Sequence, residues 1–415
     1  MGIYKLKDTA KKNSKYIIFV FIGVIFFQST MLKFIWSLES FSRIYNSLVL
    51  VISLFFVAHV LMSKNFSKEV WKQYLLPGFF VFIGMTLNIL ISAISNLNLL
   101  AQLGLTLPWL IFLIIPFLKQ KNMINVFSLW KITYYFMLIF VTLGLIDYYF
   151  IFILGGAAEI VKTPYGFFYL GKFSIFHATL NGPHHRFYSC FAEPGSLAML
   201  LLPFIAYAYF YKKYIGLVIF LIGFYFTYSL GGYIGLLSIC VLIYLYKTKR
   251  KNILLSLIST TIILGGTYGY ISSSISTAYQ KKDNSATERE ESFSKGILGL
   301  PLLIVKYPFG MPLAETTEGL RESSDYTGSN FIPLVYFQSG GLISLMGYIL
   351  ILIMSIRFAF KIFLSKKEYR IEYVVAACTF ITMIPFLLQR TTIWESSLFG
   401  LLYAPLILDS INKKK

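Results

Sequence analysis

Long apolar runs, each about the length that crosses a bilayer, recur along the chain and are separated by short polar segments. A helix needs about 20 apolar residues to cross the hydrocarbon core. The runs predict twelve spans, at residues 16–37, 44–62, 74–94, 98–118, 130–155, 196–211, 214–229, 231–246, 253–272, 336–356, 372–388 and 393–409. The sixth to eighth runs are short enough to form a helical hairpin plus one further span. The pattern predicts an all-α polytopic membrane protein, with residues 1–415 as a single integral membrane domain.

Composition agrees with this pattern and excludes several classes of protein. The chain is 57% hydrophobic, 18% aromatic and 13% charged, with a mean hydropathy of +0.70, whereas soluble domains average about 25% charged residues. A cytosolic enzyme, a secreted disulfide scaffold and a disordered regulator are therefore excluded. The three cysteines are odd in number and far apart, so we predict neither a disulfide framework nor a metal site.

The net charge is +19, and most of the charged residues lie between the apolar runs. Lys and Arg concentrate in alternate connections, including both terminal segments, which by the positive-inside rule predicts cytoplasmic termini. A membrane surface accounts for this charge, so nucleic acid is not expected as a partner. The two long connections, 156–195 and 273–335, then fall on the outer side as a first and a larger second periplasmic loop.

Both outer loops contain an apolar section too short to span. The first reads YGFFYLGKFSIF from Tyr165, and the second reads ILGLPLLIVKYPFGM from Ile297. Because prolines interrupt the second section, we expect an amphipathic helix at the membrane interface there. Two loops that dip back towards the membrane would form a lateral site for a lipid head group.

The densest polar cluster, NGPHHRFYSCFAEPGSLAML, opens the sixth run. Arg186 in it is an interfacial anchor, the partner of a nearby acid, or a bidentate ligand for phosphate. Glu193 either caps the first turn of the next helix or acts as a general base. His184 and His185 could titrate near neutral pH, although adjacent loop histidines more often face solvent.

The second outer loop carries two further candidate cations. Arg289 and Arg321 either pair with the acids around them or, if they face the membrane, form a second diphosphate clamp. The chain contains no phosphate-binding or dinucleotide-binding glycine motif, and we predict no cofactor. The energy for any reaction must then come from the substrate.

Several of these motifs occur in an order that resembles a known family. RFYSCFAEPGSLA is followed by SLGGYIG, then by an outer loop with an early Arg, a KYPFG element, and an SN element that leads into a Gly-Gly-Leu helix. Over about residues 186–350 this resembles the O-antigen polymerase and O-antigen ligase superfamily of bacterial membrane glycosyltransferases. Ligases of the group carry a His where Ser329 and Asn330 stand here, which favours a polymerase.

The resemblance implies a GT-C-type helical bundle in the bacterial inner (plasma) membrane and a metal-independent transfer at its periplasmic face. The donor and acceptor would be undecaprenyl-diphosphate-linked oligosaccharides, and a chain-length regulator is a possible protein partner. Arg186 and Arg289 would neutralise the diphosphate and Glu193 would be the base. The expected substrate-binding residues are Arg321, His184, His185, Tyr326 and Asn330.

Two other functions remain open at this point. An O-antigen ligase would transfer finished glycan to lipid A core. A flippase for the same lipid-linked units would carry charged residues along a cavity within its spans. The only clearly mid-span acid is Asp147, near the outer end of the fifth span, and the outer loops are long.

Overall fold

The structure is a computed structural model that describes residues 66–93, 99–120, 124–156, 159–163, 166–177, 186, 187, 189, 191, 194–248, 298–311, 332–365, 368–389 and 397–412. Most of these residues are helical. The helices are α1 (Lys68–Val70), α2 (Leu76–Ala93), α3 (Leu99–Gln120), α4 (Val126–Tyr148), α5 (Pro194–Phe210), α6 (Tyr214–Phe226), α7 (Leu230–Lys247), α8 (298–306), α9 (Ile332–Leu364), α10 (Ile371–Gln389) and α11 (Ser397–Asn412). A π-helical turn, Trp71–Leu75, joins α1 to α2, and another, Tyr149–Ile153, extends α4.

These helices are those of a helical membrane protein. Within the described ranges, three segments are long and apolar enough to cross a membrane, namely Lys68–Ile91, Val126–Ile153 and Ile332–Leu364, and several others are apolar but shorter. Helices occur at nine of the twelve predicted spans. The spans predicted at 16–37, 44–62 and 253–272 lie outside the described residues.

The chain divides into two compact units. Unit 1 comprises Met1–Ile44, Leu118–Ser256 and Ile362–Thr379. Unit 2 comprises Tyr45–Phe117, Leu257–Lys361 and Phe380–Lys415.

In unit 1, the short sixth to eighth runs form three separate helices, α5, α6 and α7. Tight turns join them, so consecutive helices run in opposite directions, as is usual for short helix connections. Helix α5 packs on both α6 and α7, and α4 packs on α6. Aromatic rings fill the space between them, with Trp130 stacked on Tyr207 and Tyr134 edge-on to Phe220.

The segment predicted as the first outer loop contains a small β-sheet, which corrects the all-α prediction at this place. Strands β1 (Glu159–Thr163), β2 (Gly166–Leu170) and β3 (Ile175–His177) form an antiparallel sheet in the order β1-β2-β3. The predicted apolar section from Tyr165 is therefore a hairpin, formed by β2 and β3. Aromatic and β-branched residues favour strands, and Gly171 to Ser174 provide the turn.

Cations and aromatic rings cluster at the end of unit 1 where α5 meets α6. The Lys213 ammonium lies 4.2 Å from the ring centre of Tyr134 and 4.5 Å from that of Tyr135. The Arg370 guanidinium lies over the ring of Phe127. Lysine and arginine side chains of this kind are typical of a membrane-water boundary, where the stem is apolar and the head group is charged.

Unit 2 contains a break in a long helix. Helix α9 departs from helical geometry at Gly340 and Gly341, and Gly341 has φ +65°, a left-handed conformation that favours glycine. The gap is filled by the chain that follows α8. The Leu342 N–H donates to Pro308 O and the Met311 N–H donates to Gln338 O, both at 3.0 Å. Backbone groups freed by the break are thus hydrogen-bonded within the protein, as an apolar environment requires.

Helix α2 also contacts the place where the α9 break is hydrogen-bonded to the chain after α8, which we call the joint. The Asn88 side-chain amide donates to Gln338 O at 3.0 Å and to Met311 O at 3.2 Å. Gly84 allows the close approach, because a Cβ there would lie 2.5 Å from Gly340 O. The KYPFG element and the Gly-Gly-Leu helix, which occur in this order in the sequence pattern, are therefore joined by hydrogen bonds.

Helix α8 was predicted as part of an interfacial amphipathic helix, and residues 298–306 are indeed helical. Leu303 and Met311 pack with Phe337 in a buried cluster. Leu298, Leu302 and Val305 are exposed on the other side. Both faces are apolar, and the placement of this helix at a membrane surface stays a prediction.

Candidate functional site

Arg186 lies in unit 1 beside the turn that joins α6 to α7. Its Nε donates to Thr227 O at 3.1 Å and its Nη2 donates to Tyr228 O at 3.4 Å. The side chain is half-buried. Two hydrogen bonds to neighbouring carbonyls fix both the position and the plane of the guanidinium.

The turn owes its shape to an unusual backbone conformation. Helix α6 ends at Phe226, and Tyr228 adopts φ +46°. A left-handed conformation costs a non-glycine residue roughly 1–2 kcal/mol, and such residues cluster at functional sites. The reversal at Tyr228 lets two successive carbonyls accept hydrogen bonds from the same guanidinium.

The residues after Arg186 are anchored to α4 and α6. The Phe187 N–H donates to Phe226 O at 2.9 Å, and the Phe187 ring is fully buried against the edge of Tyr148. Ser189 is also left-handed, with φ +51°, and its hydroxyl donates to Phe140 O at 3.0 Å. Phe187 and Ser189 thus hold the backbone next to Arg186 against α6 and α4.

Two helix N-termini lie at the same end of unit 1. Helix α5 begins at Pro194, the first-turn position expected for this proline, and α7 begins after Ser229, whose hydroxyl accepts the Gly232 N–H. The first turns are close, since a Cβ at Gly232 would lie 2.7 Å from Ala198 Cβ. Helix N-termini carry partial positive charge. The guanidinium of Arg186 offsets the partial negative charge at the C-terminus of α6. The two helix N-termini and the guanidinium therefore favour the binding of an anion.

Asp147 holds the small sheet at this end of unit 1. It is only 7% exposed, and its Oδ2 accepts hydrogen bonds from the Phe173 N–H at 2.6 Å and the Ser174 hydroxyl at 2.9 Å. Phe173 and Ser174 form the turn between β2 and β3. The acid inside the predicted fifth span thus anchors the first outer loop to the end of α4.

Arg186 is the one predicted site residue among those the structure describes. The others lie outside the described residues, namely Glu193, Arg289, Arg321, His184, His185, Tyr326 and Asn330. Across the described ranges, no group of three or more His, Cys, Asp or Glu side chains could hold a metal ion.

Sequence reasoning did not find the groups that hold Arg186. Thr227 and Tyr228 contribute backbone carbonyls, which every residue possesses, so no residue type indicates them. The one available signal was the SLGG motif that follows, since serine before an apolar helix indicates an N-cap and hence a turn.

Comparison with known proteins identifies no relative of this chain. No family model matches it, and no curated protein or solved structure is significantly similar to it. The function must therefore be argued from Arg186, its surroundings and the order of the sequence motifs.

Proposed function

We propose that this protein is a repeat-unit polymerase of a bacterial surface polysaccharide, such as O-antigen or capsule. It transfers the growing glycan from undecaprenyl diphosphate to the terminal sugar of a second lipid-linked repeat unit. The observation that carries the proposal is the guanidinium of Arg186, held by two carbonyls beside the N-termini of α5 and α7. A preorganised cation of this kind suits a diphosphate leaving group.

The reaction breaks the bond between the anomeric carbon and the phosphate oxygen and forms a glycosidic bond to an acceptor hydroxyl. The hydroxyl proton passes to a base, for which Glu193 is the candidate, and undecaprenyl diphosphate leaves. Negative charge grows on the diphosphate as this bond breaks, and Arg186 and Arg289 stabilise it. Arg321, His184, His185, Tyr326 and Asn330 are proposed to bind the substrates.

In this proposal, twelve helices form a GT-C-type bundle in the bacterial plasma membrane. Both termini are cytoplasmic, and the Arg186 end of unit 1 faces the periplasm. Cleavage of the sugar-phosphate bond drives the transfer, so the reaction uses neither a metal ion nor a cofactor. A chain-length regulator is the proposed protein partner, in addition to membrane lipid.

The proposal is tested by the pattern of surface polysaccharide on a gel. A strain that lacks the protein should retain lipid-anchored single repeat units and lose the ladder of longer chains. Arg186→Ala, at matched protein level, should lower polymerisation by about 10²-fold or more, the usual effect of removing one charge-stabilising donor. Arg186→Lys should be intermediate, because it keeps the charge and loses the planar fork.

Lys172→Ala is the matched control, since it removes an exposed cation from the same outer loop and should leave the ladder intact. If single units also disappear in the deletion strain, the protein acts in flipping or ligation and the polymerase proposal fails. Long lipid-linked chains that never reach lipid A core would indicate a ligase.

A further inference from the structure

Three tyrosines surround the turn that holds Arg186, and we call them the tyrosine rim: Tyr225, Tyr228 and Tyr233. Tyr225 is in the last turn of α6, Tyr228 is in the turn itself, and Tyr233 is in the first turn of α7. The carbonyl of Tyr228 is one of the two acceptors for Arg186. The rim is therefore hydrogen-bonded, through the Tyr228 carbonyl, to the side chain proposed to bind phosphate.

The rim is built from fixed contacts. The Tyr233 hydroxyl donates to Tyr225 O at 2.7 Å, which ties the start of α7 to the end of α6. The rings of Tyr225 and Tyr228 have centroids 5.8 Å apart. Because these contacts already order the tyrosine side chains, the side chains lose little conformational entropy when a ligand binds.

The rim also presents exposed aromatic surface. Tyr225 is 59% exposed, and Tyr228 and Tyr233 are partly exposed. A tyrosine ring offers an apolar face and a hydroxyl on one side chain. This combination matches a pyranose ring, which has an apolar C–H face and a rim of hydroxyl groups.

We propose that the tyrosine rim is the binding subsite for the sugar attached directly to the diphosphate. This inference rests on the proposed function, because it takes the ligand of Arg186 to be a lipid-linked diphosphate. Only one oxygen separates the anomeric carbon from phosphorus, so a diphosphate at Arg186 carries its first sugar to the adjacent side chains. In this arrangement the tyrosine rim contacts the sugar while Arg186 binds the phosphate.

The test compares two ligands for the purified full-length protein in nanodiscs. One is the lipid-linked single repeat unit extracted from the deletion strain, and the other is undecaprenyl diphosphate without sugar. Tyr225→Leu should raise the Kd for the sugar-bearing ligand by about two- to tenfold, the size of one aromatic contact, and leave the Kd for undecaprenyl diphosphate unchanged. Tyr225→Phe keeps the ring and should bind nearly as the wild type does.

Tyr214→Leu is the control, since Tyr214 is 62% exposed at the opposite end of α6 and should alter neither Kd. Arg186→Ala should weaken both ligands. Tyr228→Leu provides a second rim variant, although Tyr225→Leu carries the test because it changes only an exposed side chain.

Two outcomes overturn the inference in different ways. If the leucine variants change both Kd values equally or neither, the rim is an aromatic belt at the lipid interface, and only the sugar subsite is withdrawn. If the deletion strain accumulates no lipid-linked single units, the proposed function fails first and the subsite fails with it.

Discussion

Asp147 shows how hydrogen-bond donors from a neighbouring turn can accommodate an acid in a predominantly apolar helix. Its Oδ2 accepts hydrogen bonds from two groups of the turn between β2 and β3, the Phe173 N–H and the Ser174 hydroxyl. A buried carboxylate of this kind is stabilised by the donors that it accepts from. The one clearly mid-span acid of the sequence thus anchors the turn between β2 and β3 to the end of α4.

Asp147→Ala should release this turn. The loss of two hydrogen bonds that leave the Phe173 N–H and Ser174 hydroxyl unpaired should cost about 1–3 kcal/mol and lower the Tm in detergent. Trypsin should also cleave faster after Lys172, which is exposed in the same turn. Mass spectrometry of the digest checks this. Asp147→Asn, which retains an acceptor, should stay close to wild type, and equal cleavage of all three proteins would contradict the anchor.

At the level of single residues, the sequence predicts the chemical role of a side chain but not the groups that it contacts. The sequence indicates an anion-binding role for Arg186, because an arginine close to Pro, His and Glu at a helix start is suited to an anion. Its partners are carbonyls of Thr227 and Tyr228, about 40 positions along the chain. Such a contact depends on how α5, α6 and α7 pack, and no local pattern encodes it.

At the level of elements, apolar runs predicted the helices well because burial in lipid and burial in protein demand the same composition. The runs at 214–229 and 231–246 became α6 and α7 with ends shifted by a few residues. The break in α9 was not predicted, since the run at 336–356 is apolar on both sides of it. The hairpin of β2 and β3 was missed because its aromatic residues suit a membrane surface as well as a strand.

The α9 break gives a prediction for its glycine. Gly341→Ala should destabilise the protein, because φ is +65° and a Cβ would lie 2.4 Å from Pro308 O. Backbone strain alone costs about 1–3 kcal/mol, so we expect a clearly lower Tm in detergent. Gly400→Ala is the control, since a Cβ there meets nothing within 4 Å inside α11 and alanine favours a helix. A Tm for Gly341→Ala equal to that of the control would show that the break tolerates a side chain.

For the whole molecule, the charge distribution should determine orientation. Lys213 and Lys247 mark one end of unit 1, each over aromatic rings, and Arg186 and Asp147 mark the other. The positive-inside rule assigns the lysine end to the cytoplasm. The two ends should therefore differ in whether a membrane-impermeant reagent reaches them from outside the cell.

Cysteine labelling in cells checks this orientation. In a background where Cys190, Cys240 and Cys378 are replaced by alanine, Lys172→Cys should react with a membrane-impermeant maleimide in spheroplasts. Thr248→Cys, exposed just after α7, should react only once the membrane is permeabilised. The reverse labelling pattern would show the opposite orientation and contradict a periplasmic location of the Arg186 site.

The joint around Asn88 also has a consequence for biosynthesis. Its two acceptors, Met311 O and Gln338 O, lie 223 and 250 residues later in the chain. At roughly 5–20 residues per second, the ribosome supplies them about ten seconds to a minute after Asn88 itself. During that interval the amide of a newly inserted helix must find water or another temporary partner, because lipid offers it none. Assembly of unit 2 therefore finishes late, when the last third of the chain arrives.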